Sequence, residues 1–417
     1  MTDPSAFIQQ TVRSVTDPDR LTEALGAPRA ATLHDGLPGT ALLLAALSRT
    51  DPRLADATAH HWDASARLLT GVPPDGIFKG PGALATSLIL GSRYLPHPAS
   101  QRTAVEHATA WLSARAQGLA RHQDQRRRDG RPGTPWAIYD AVKGLAGIGR
   151  ILLAADQSGH SPDAALGLTA ALTALTTMIN TTASPHPGWR LPARDHVLPG
   201  TRPLPPSGAA TTGAAHGIAG PLAFLATAHA AARTVPGQLD AIRAAARWLL
   251  EWRSPDGTWP AHIPGYALSH GPQAAAVVPG RRDAWCYGNT GIGNALTLAA
   301  VALHDDELRR RASSALDAVA ARPPEAWDTA GPGLCHGTAG VLLTAWHHSH
   351  CALATAAEQH TLQLLSAQLP SEDRGLLTGT TGTALALAES VGVLPHPSAA
   401  AWHSILQTGP TPPAPSA

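Results

Sequence analysis

Two of the three cysteines in this 417-residue chain sit at the same place in the same short motif. One copy is Asp283-Ala-Trp-Cys-Tyr-Gly-Asn-Thr-Gly-Ile-Gly293, and the other is Leu334-Cys-His-Gly-Thr-Ala-Gly340. Cys286 and Cys335 each stand two residues before a Gly-x-x-Gly pair, and His336 follows Cys335 directly. Two thiolates and an imidazole form a metal-binding set. Three protein ligands leave a tetrahedral zinc with one open position, the arrangement of a catalytic site. Sulfur and nitrogen donors favour zinc over magnesium or calcium. The bland alternative makes both cysteines small buried hydrophobes; their shared offset and the adjacent His336 favour metal. Cys351, with His347, His348 and His350 nearby, has the composition of a second metal cluster, but it belongs to no motif and reads rather as an incidental exposed stretch.

The elements that must position these groups show as a repeat. The glycine signal occurs at Gly36-Leu-Pro-Gly39, Gly80-Pro-Gly82, Gly144-Leu-Ala-Gly147, Gly217-Ile-Ala-Gly220, Gly288-Asn-Thr-Gly291, Gly337-Thr-Ala-Gly340 and Gly379-Thr-Thr-Gly382. The second copy is degenerate. Spacings between first glycines are 44, 64, 73, 71, 49 and 42 residues. The shortest fit two helices of about 12–15 residues with their turns. Each motif opens an Ala/Leu-rich run of helical length. Between Leu239 and Glu251, Ile242, Ala246 and Leu249 share one face while Arg243, Arg247 and Glu251 share another, so the partner helix is amphipathic. The unit is an outer amphipathic helix, a turn, and an apolar inner helix.

Inner helices that are apolar all round need cover on every side. The sequence therefore predicts an all-α fold, seven helical hairpins closed into an α/α toroid and not an open solenoid. One domain spans residues 1–408, with inserted loops at about 121–135 and 184–208 and a disordered tail from Gly409 to Ala417. Arg126–Arg128 concentrate charge in the first insert, which reads as a solvated loop, with a docking site as the alternative.

Composition narrows the function. A hydrophobic content of 44% with 15% charged residues suits a large core. Net charge is +1, which offers nucleic acid no basic surface. No apolar run is long enough to cross a membrane. The start of the chain lacks the pattern of a signal peptide, and three scattered cysteines form no disulfide framework. A cytoplasmic protein is expected.

If each motif starts an inner helix, the residues just before the glycines gather at one rim. Those positions hold Asp35, Lys79, Lys143, His216, Tyr287, His336 and Thr378. Asp140 lies four residues before Gly144, and Arg282 six before Gly288. With 21 histidines in the chain, only its place in the repeat distinguishes His216. Asp140 could simply cap or pair near Lys143. Trp285 reads as packing.

Taken together, Asp140 with Gly144-Leu-Ala-Gly-Ile-Gly149, His216-Gly217, Trp285-Cys-Tyr-Gly288 and Cys335-His-Gly337 resemble the lanthionine synthetase C-like family. The resemblance runs from Leu33 to about Ala388. It implies a seven-hairpin toroid with zinc on Cys286, Cys335 and His336, acid–base residues at His216 and Asp140, and a supporting arginine at Arg282. It also implies thioether formation, in which a peptide cysteine adds to dehydroalanine or dehydrobutyrine. The partners so implied are a dehydrated precursor peptide, leader plus core, and a separate dehydratase.

The chemistry is consistent with the residues. Zinc binding would deprotonate a thiol whose ordinary pKa is near 8.5, and His216 is a suitable proton donor near neutral pH. Two other functions compete. A zinc prenyltransferase-like toroid would need an aromatic pocket, for which three Phe and four Tyr give little material. A non-catalytic thiol-peptide or glutathione-binding protein would need neither His216 nor Asp140.

Overall fold

In a computed structural model of the chain, residues 3–159, 163–181, 186–196, 203–275, 283–367, 373–394 and 401–409 are described. Fourteen helices make the frame. They are α1 (Pro4–Val15), α2 (Leu37–Leu47), α3 (Leu54–Arg67), α4 (Gly80–Gly91), α5 (Arg102–Arg128), α6 (Leu145–Gln157) and α7 (Asp163–Asn180). Then come α8 (Ala219–Ala230), α9 (Gln238–Glu251), α10 (Asn289–Leu303), α11 (Asp306–Ala320), α12 (Thr338–His347), α13 (Cys351–Ala367) and α14 (Thr380–Ser390).

Seven of them, α2, α4, α6, α8, α10, α12 and α14, each pack on the next, and α14 packs back on α2. The ring is closed. The other seven lie outside it. The outer partner of α14 is α1, so the two ends of the chain complete one hairpin between them. The inner helices are buried almost all round: every residue of α2 is buried. The outer helices bury one face, as Ala241, Ile242, Ala245, Ala246 and Leu249 do on α9. That pattern is what hydrophobic burial demands of a two-layer toroid.

A single geometric rule accounts for the glycines. At the second glycine of each motif, an added Cβ would overlap the carbonyl oxygen six residues earlier, from Leu33 at Gly39 to Leu376 at Gly382. The degenerate copy obeys it too, with Gly76 against Gly82. In five of the seven motifs the residue six back also packs on the neighbouring repeat's glycine, as Trp285 does on Gly340 and Leu334 on Gly382. The close approach needs a residue without a side chain.

The segments just before the glycines are tied into a belt. Leu33 N–H donates to the Phe78 carbonyl, Ile77 to Val142, Ala141 to Ala215 and Ala215 to Cys286. Cys286 donates to Cys335, Cys335 to Leu377, and Leu376 and Leu377 to His34, closing the circle. Each accepting carbonyl stands two residues before the first glycine of its motif. Seven stretches far apart in sequence thus form one rim.

The middle repeats carry the extra structure. Strands β1 (Ala209–Thr211) and β2 (His262–Pro264) pair antiparallel, with Thr211 opposite His262, and Leu191 bridges to Ala209. The expectation of a loop over 121–135 is corrected: α5 continues to Arg128, and only the residues after it turn. Arg126 is the reason. Its side chain is buried, reaching the Gly133 carbonyl at 3.4 Å and Asp195 at 4.0 Å, so it fastens the helix end to the second insert. Arg127 and Arg128 alone of that trio are exposed. Among the described residues of the second insert, a 3-10 turn spans Ala193–Asp195 and Trp189 is buried.

Residues 401–409 enter the middle of the ring and are buried throughout. The segment begins beside the C-terminal ends of inner helices, where Trp402 N–H meets the Tyr94 hydroxyl and Trp402 Nε1 donates to Glu389. It ends near their N-terminal ends, where Trp285 Nε1 donates to the Leu406 carbonyl and Gln407 Nε2 to that of Ala146. Trp285 is thus a packing residue. Of the tail expected to be disordered, Gly409 is buried here and the rest lies outside the described residues. Among the described residues no helix is long and apolar enough to cross a membrane.

Candidate metal and acid–base site

The belt places Cys286 and Cys335 on adjacent repeats, joined by the Cys286 N–H to Cys335 carbonyl bond of 3.1 Å. Their side chains and His336 converge: one ligand atom from each lies within 4.8 Å of the others. Cys286 Sγ and His336 Nδ1 are 3.4 Å apart. Both thiols are buried and in no disulfide. The donor set suits zinc, two soft sulfurs and one nitrogen on a rigid frame.

The loop that carries Cys286 is held at its base. Arg322 grips Asp283 with both ends of its fork, at 2.6 and 2.9 Å, and Asp328 N–H adds a third bond at 2.8 Å. Thr290 Oγ1 donates to the Asp283 carbonyl. A two-pronged guanidinium–carboxylate pair fixes orientation as well as distance. Neither Asp283 nor Arg322 stood out in sequence. Arg282, expected as the supporting arginine, lies outside the described residues.

Asp140 and His216 meet one step further round the belt. His216 Nδ1 lies 2.6 Å from Asp140 Oδ2, and the Asp140 side chain is wholly buried. Asp140 also caps its own turn, its Oδ1 accepting from the backbone N–H groups of Val142, Lys143 and Gly144 at 3.0, 2.6 and 3.0 Å. One oxygen shapes the rim and the other holds the imidazole. Since a carboxylate oxygen accepts, His216 Nδ1 must donate, which leaves Nε2 for a substrate. The His216 carbonyl is anchored by Thr211 Oγ1 at 2.6 Å.

Aromatic residues that carried no sequence signal surround this pair. Trp136 stacks on the His216 ring at 4.9 Å and donates its Nε1–H to Thr211, which Tyr139 also contacts. His196 and His262 lie against Trp136 at 5.1 and 6.2 Å. Burial, then the neighbouring His196 and His216, pushes His262 down to about 4, so it is neutral near pH 7. Tyr287, between the two halves of the site, has a buried hydroxyl without a hydrogen-bond partner. Its phenol is pushed well up, first by burial and then by Cys286, Tyr139, Asp140 and Cys335. Only position could have flagged these groups: Trp136 and Tyr139 precede Asp140, while His196 precedes β1 and His262 begins β2.

His347 and His348, expected to share an incidental exposed stretch with Cys351, depart from that reading. Cys351 is exposed, but His347 is buried against Glu389 and His403, and His348 Nε2 bonds Asn294 at 2.9 Å.

Comparison with known proteins agrees with this architecture. No curated protein matches by sequence. Among solved structures, the chain overlays nisin cyclase with a TM-score of 0.75 at 18% identity, covering 96% of this chain and 97% of that one. A circular tandem repeat protein overlaps far less, with a TM-score of 0.25 at 13% identity, over 92% of this chain and 78% of the other. The pattern described as "Lanthionine synthetase C-like protein" matches residues 27–407. The chain therefore belongs to the lanthionine synthetase C-like family.

Proposed function

We propose that this protein is a zinc-dependent lanthipeptide cyclase, joining a peptide cysteine to dehydroalanine or dehydrobutyrine as a thioether. The observation that carries the reading is the His216–Asp140 pair, 2.6 Å apart, on the same belt as the Cys286, Cys335 and His336 cluster. A binding protein needs the thiol site alone; an oriented imidazole beside it serves proton transfer.

Zinc held by Cys286, Cys335 and His336 would supply an open position where a peptide thiol binds as its thiolate near neutral pH. In the addition, the sulfur forms a bond to the β-carbon and the alkene electron pair moves toward the adjoining carbonyl. A proton must then reach the α-carbon, so the product has the same mass as the substrate. His216 delivers that proton from Nε2, while Asp140 holds Nδ1–H and supports the imidazolium form. Trp136 covers one face of the ring and restricts its motion. His262, neutral at this pH, neither competes for the proton nor repels the charged ring. Negative charge developing on the carbonyl oxygen requires a donor; Arg282 and the Tyr287 hydroxyl are the groups we assign to it.

A substrate made from Ser or Thr residues needs a separate dehydratase, and three cysteines in no disulfide fit a reducing, cytoplasmic compartment. The test follows a dehydrated peptide by mass spectrometry with thiol alkylation in a single turnover. Cyclisation keeps the mass and removes alkylatable thiols. With His216→Ala, the rate should fall about 10²–10⁴-fold while zinc and peptide binding remain. Ring formation at the wild-type rate would make His216 structural, and failure of the unaltered protein to cyclise would leave a thiol-peptide-binding protein.

A further inference from the structure

At the far end of the inner helices from the belt, three Lewis bases from separate parts of the chain converge. His347 ends α12, Glu389 lies in the last turn of α14, and His403 belongs to the 3-10 turn Trp402–Leu406. All three are buried, with His347 and His403 side chains closed off from solvent, and one ligand atom from each lies within 4.8 Å of the others. We propose that His347, Glu389 and His403 form a second divalent-cation site, suited to zinc, which fastens the C-terminal segment into the ring.

The proton count is the first argument. His347 Nε2 lies 2.6 Å from Glu389 Oε1 and donates to it. His403 Nδ1 lies 3.0 Å from the Thr408 carbonyl, which can only accept, so that nitrogen carries the ring's proton. Its Nε2 then presents a lone pair, buried and without a partner, and His347 Nδ1 is buried and without a partner as well. A carboxylate and two imidazoles thus share a closed pocket that supplies too few protons. Buried polar atoms without partners are rare and point to a missing ligand. Here the missing partner is a cation.

The surroundings have the form that metal ligands take. A ligating histidine ordinarily donates its other ring N–H to a carbonyl, as His403 does, and ligating carboxylates are themselves hydrogen-bonded. Glu389 Oε2 receives Trp402 Nε1 at 2.8 Å, from the residue next to His403. The two imidazole rings stand 4.4 Å apart at 61°, edge against face, and one ligand atom of each lies within 4.8 Å of the other and of Glu389. Arg150, buried on the His403 side with Nε and Nη1 unpaired, forms no ion pair with Glu389. The carboxylate's charge is therefore met within the pocket. His347 would ligate through its unpartnered Nδ1 while its Nε2–H stays on Glu389, so a neutral His347 loses no proton as the ion enters. Histidine and carboxylate without thiolate, three protein ligands in all, match zinc.

The consequence is conformational. The ends of α12 and α14 would be clamped to residues 401–409, the segment that also accepts the hydrogen bond from Trp285 beside Cys286. Metal bound at one end of the ring would steady the packing under the other.

The test titrates metal-stripped protein with zinc against a chromophoric chelator. Two tight equivalents are expected in the unaltered chain, one for each cluster. One should remain in His403→Gln and one in the Cys286→Ser/Cys335→Ser variant. Two equivalents retained in folded His403→Gln would place the second ion elsewhere and overturn the proposal. Should His403→Gln fail to fold, cobalt binding to the unaltered chain decides. Only one of two equivalents should produce thiolate-to-cobalt absorption, the other giving weak visible bands alone. Thiolate absorption from both would implicate Cys351 and refute the site. A single equivalent with thiolate absorption also refutes it, leaving His347 and Glu389 a simple ion pair. A single equivalent without that absorption would sustain this site and sink the cysteine centre instead.

Discussion

Asp140 and His216 are 76 residues apart in sequence, yet Oδ2 of one and Nδ1 of the other are 2.6 Å apart on adjacent repeats. The same carboxyl group shapes the turn that opens α6 through three backbone N–H bonds. This double use separates two substitutions. Asp140→Asn keeps an acceptor for the turn but replaces the carboxylate facing the imidazole. Its cyclisation rate should fall about 10²–10⁴-fold with little loss of stability. Asp140→Ala should lose the same activity and, in addition, about 1–3 kcal/mol of stability, because one buried and two partly buried N–H groups are left unpaired. Combined with His216→Ala, either should be far from additive in single-turnover rate.

Metal content should depend on the cysteines and the fold should not. Cys286→Ala or Cys335→Ala is expected to lose the zinc of that cluster while circular dichroism stays helical. The reason is that the belt uses backbone groups and the apolar core closes without the site. Full zinc occupancy of this cluster in both variants would remove the basis of the proposed function.

Glycine substitutions should divide by position. Gly291→Ala places a Cβ into the Trp285 carbonyl, one residue from Cys286, and should cost about 1–3 kcal/mol or more. Gly118→Ala, inside α5 with open space around it, should gain roughly 0.5–1 kcal/mol. Urea unfolding measures both. Equal effects at the two sites would contradict the close-approach account of the repeat.

Acid should destabilise the protein through His262. Its pKa is about 4 in the folded state against an ordinary value near 6.5. The unfolded chain therefore binds the proton first as pH falls, and stability declines from about pH 6.5 down to about pH 4. The groups facing His262 are His196, His216, Trp136 and Tyr287. On the order of 1–3 kcal/mol is at stake. In His262→Asn the stability–pH curve should be flatter across that window; an unchanged slope would show that His262 titrates normally.

The arginines at the end of α5 should not act alike. Arg126→Ala should loosen the two inserts and lower stability by about 1–2 kcal/mol, since it removes a buried, hydrogen-bonded cation. Arg127→Gln with Arg128→Gln should leave stability unchanged. A salt-dependent loss of peptide affinity in that pair would locate leader docking there; unchanged affinity at all ionic strengths would exclude it.

The sequence alone determined the repeat and its chemistry-bearing positions. Glycines recur because seven backbone crossings exclude a side chain, a local steric demand that any reader of the chain can see. Inner helices without a polar face announced closure, because no surface could be left to water. Cys286, Cys335 and His336 were legible for the same reason: equivalent repeat positions must converge on one rim. Tertiary structure decided what the repeat does not encode. Arg126 sits where a loop was expected because its partners, Gly133 and Asp195, come from two inserts whose approach is a matter of packing. Trp136 against His216, Arg322 on Asp283, and the union of α1 with α14 join segments that share no periodicity. His347, Glu389 and His403 are the extreme case. Their meeting depends on residues 401–409 entering the ring, a path set by the shape of the closed core and by no motif.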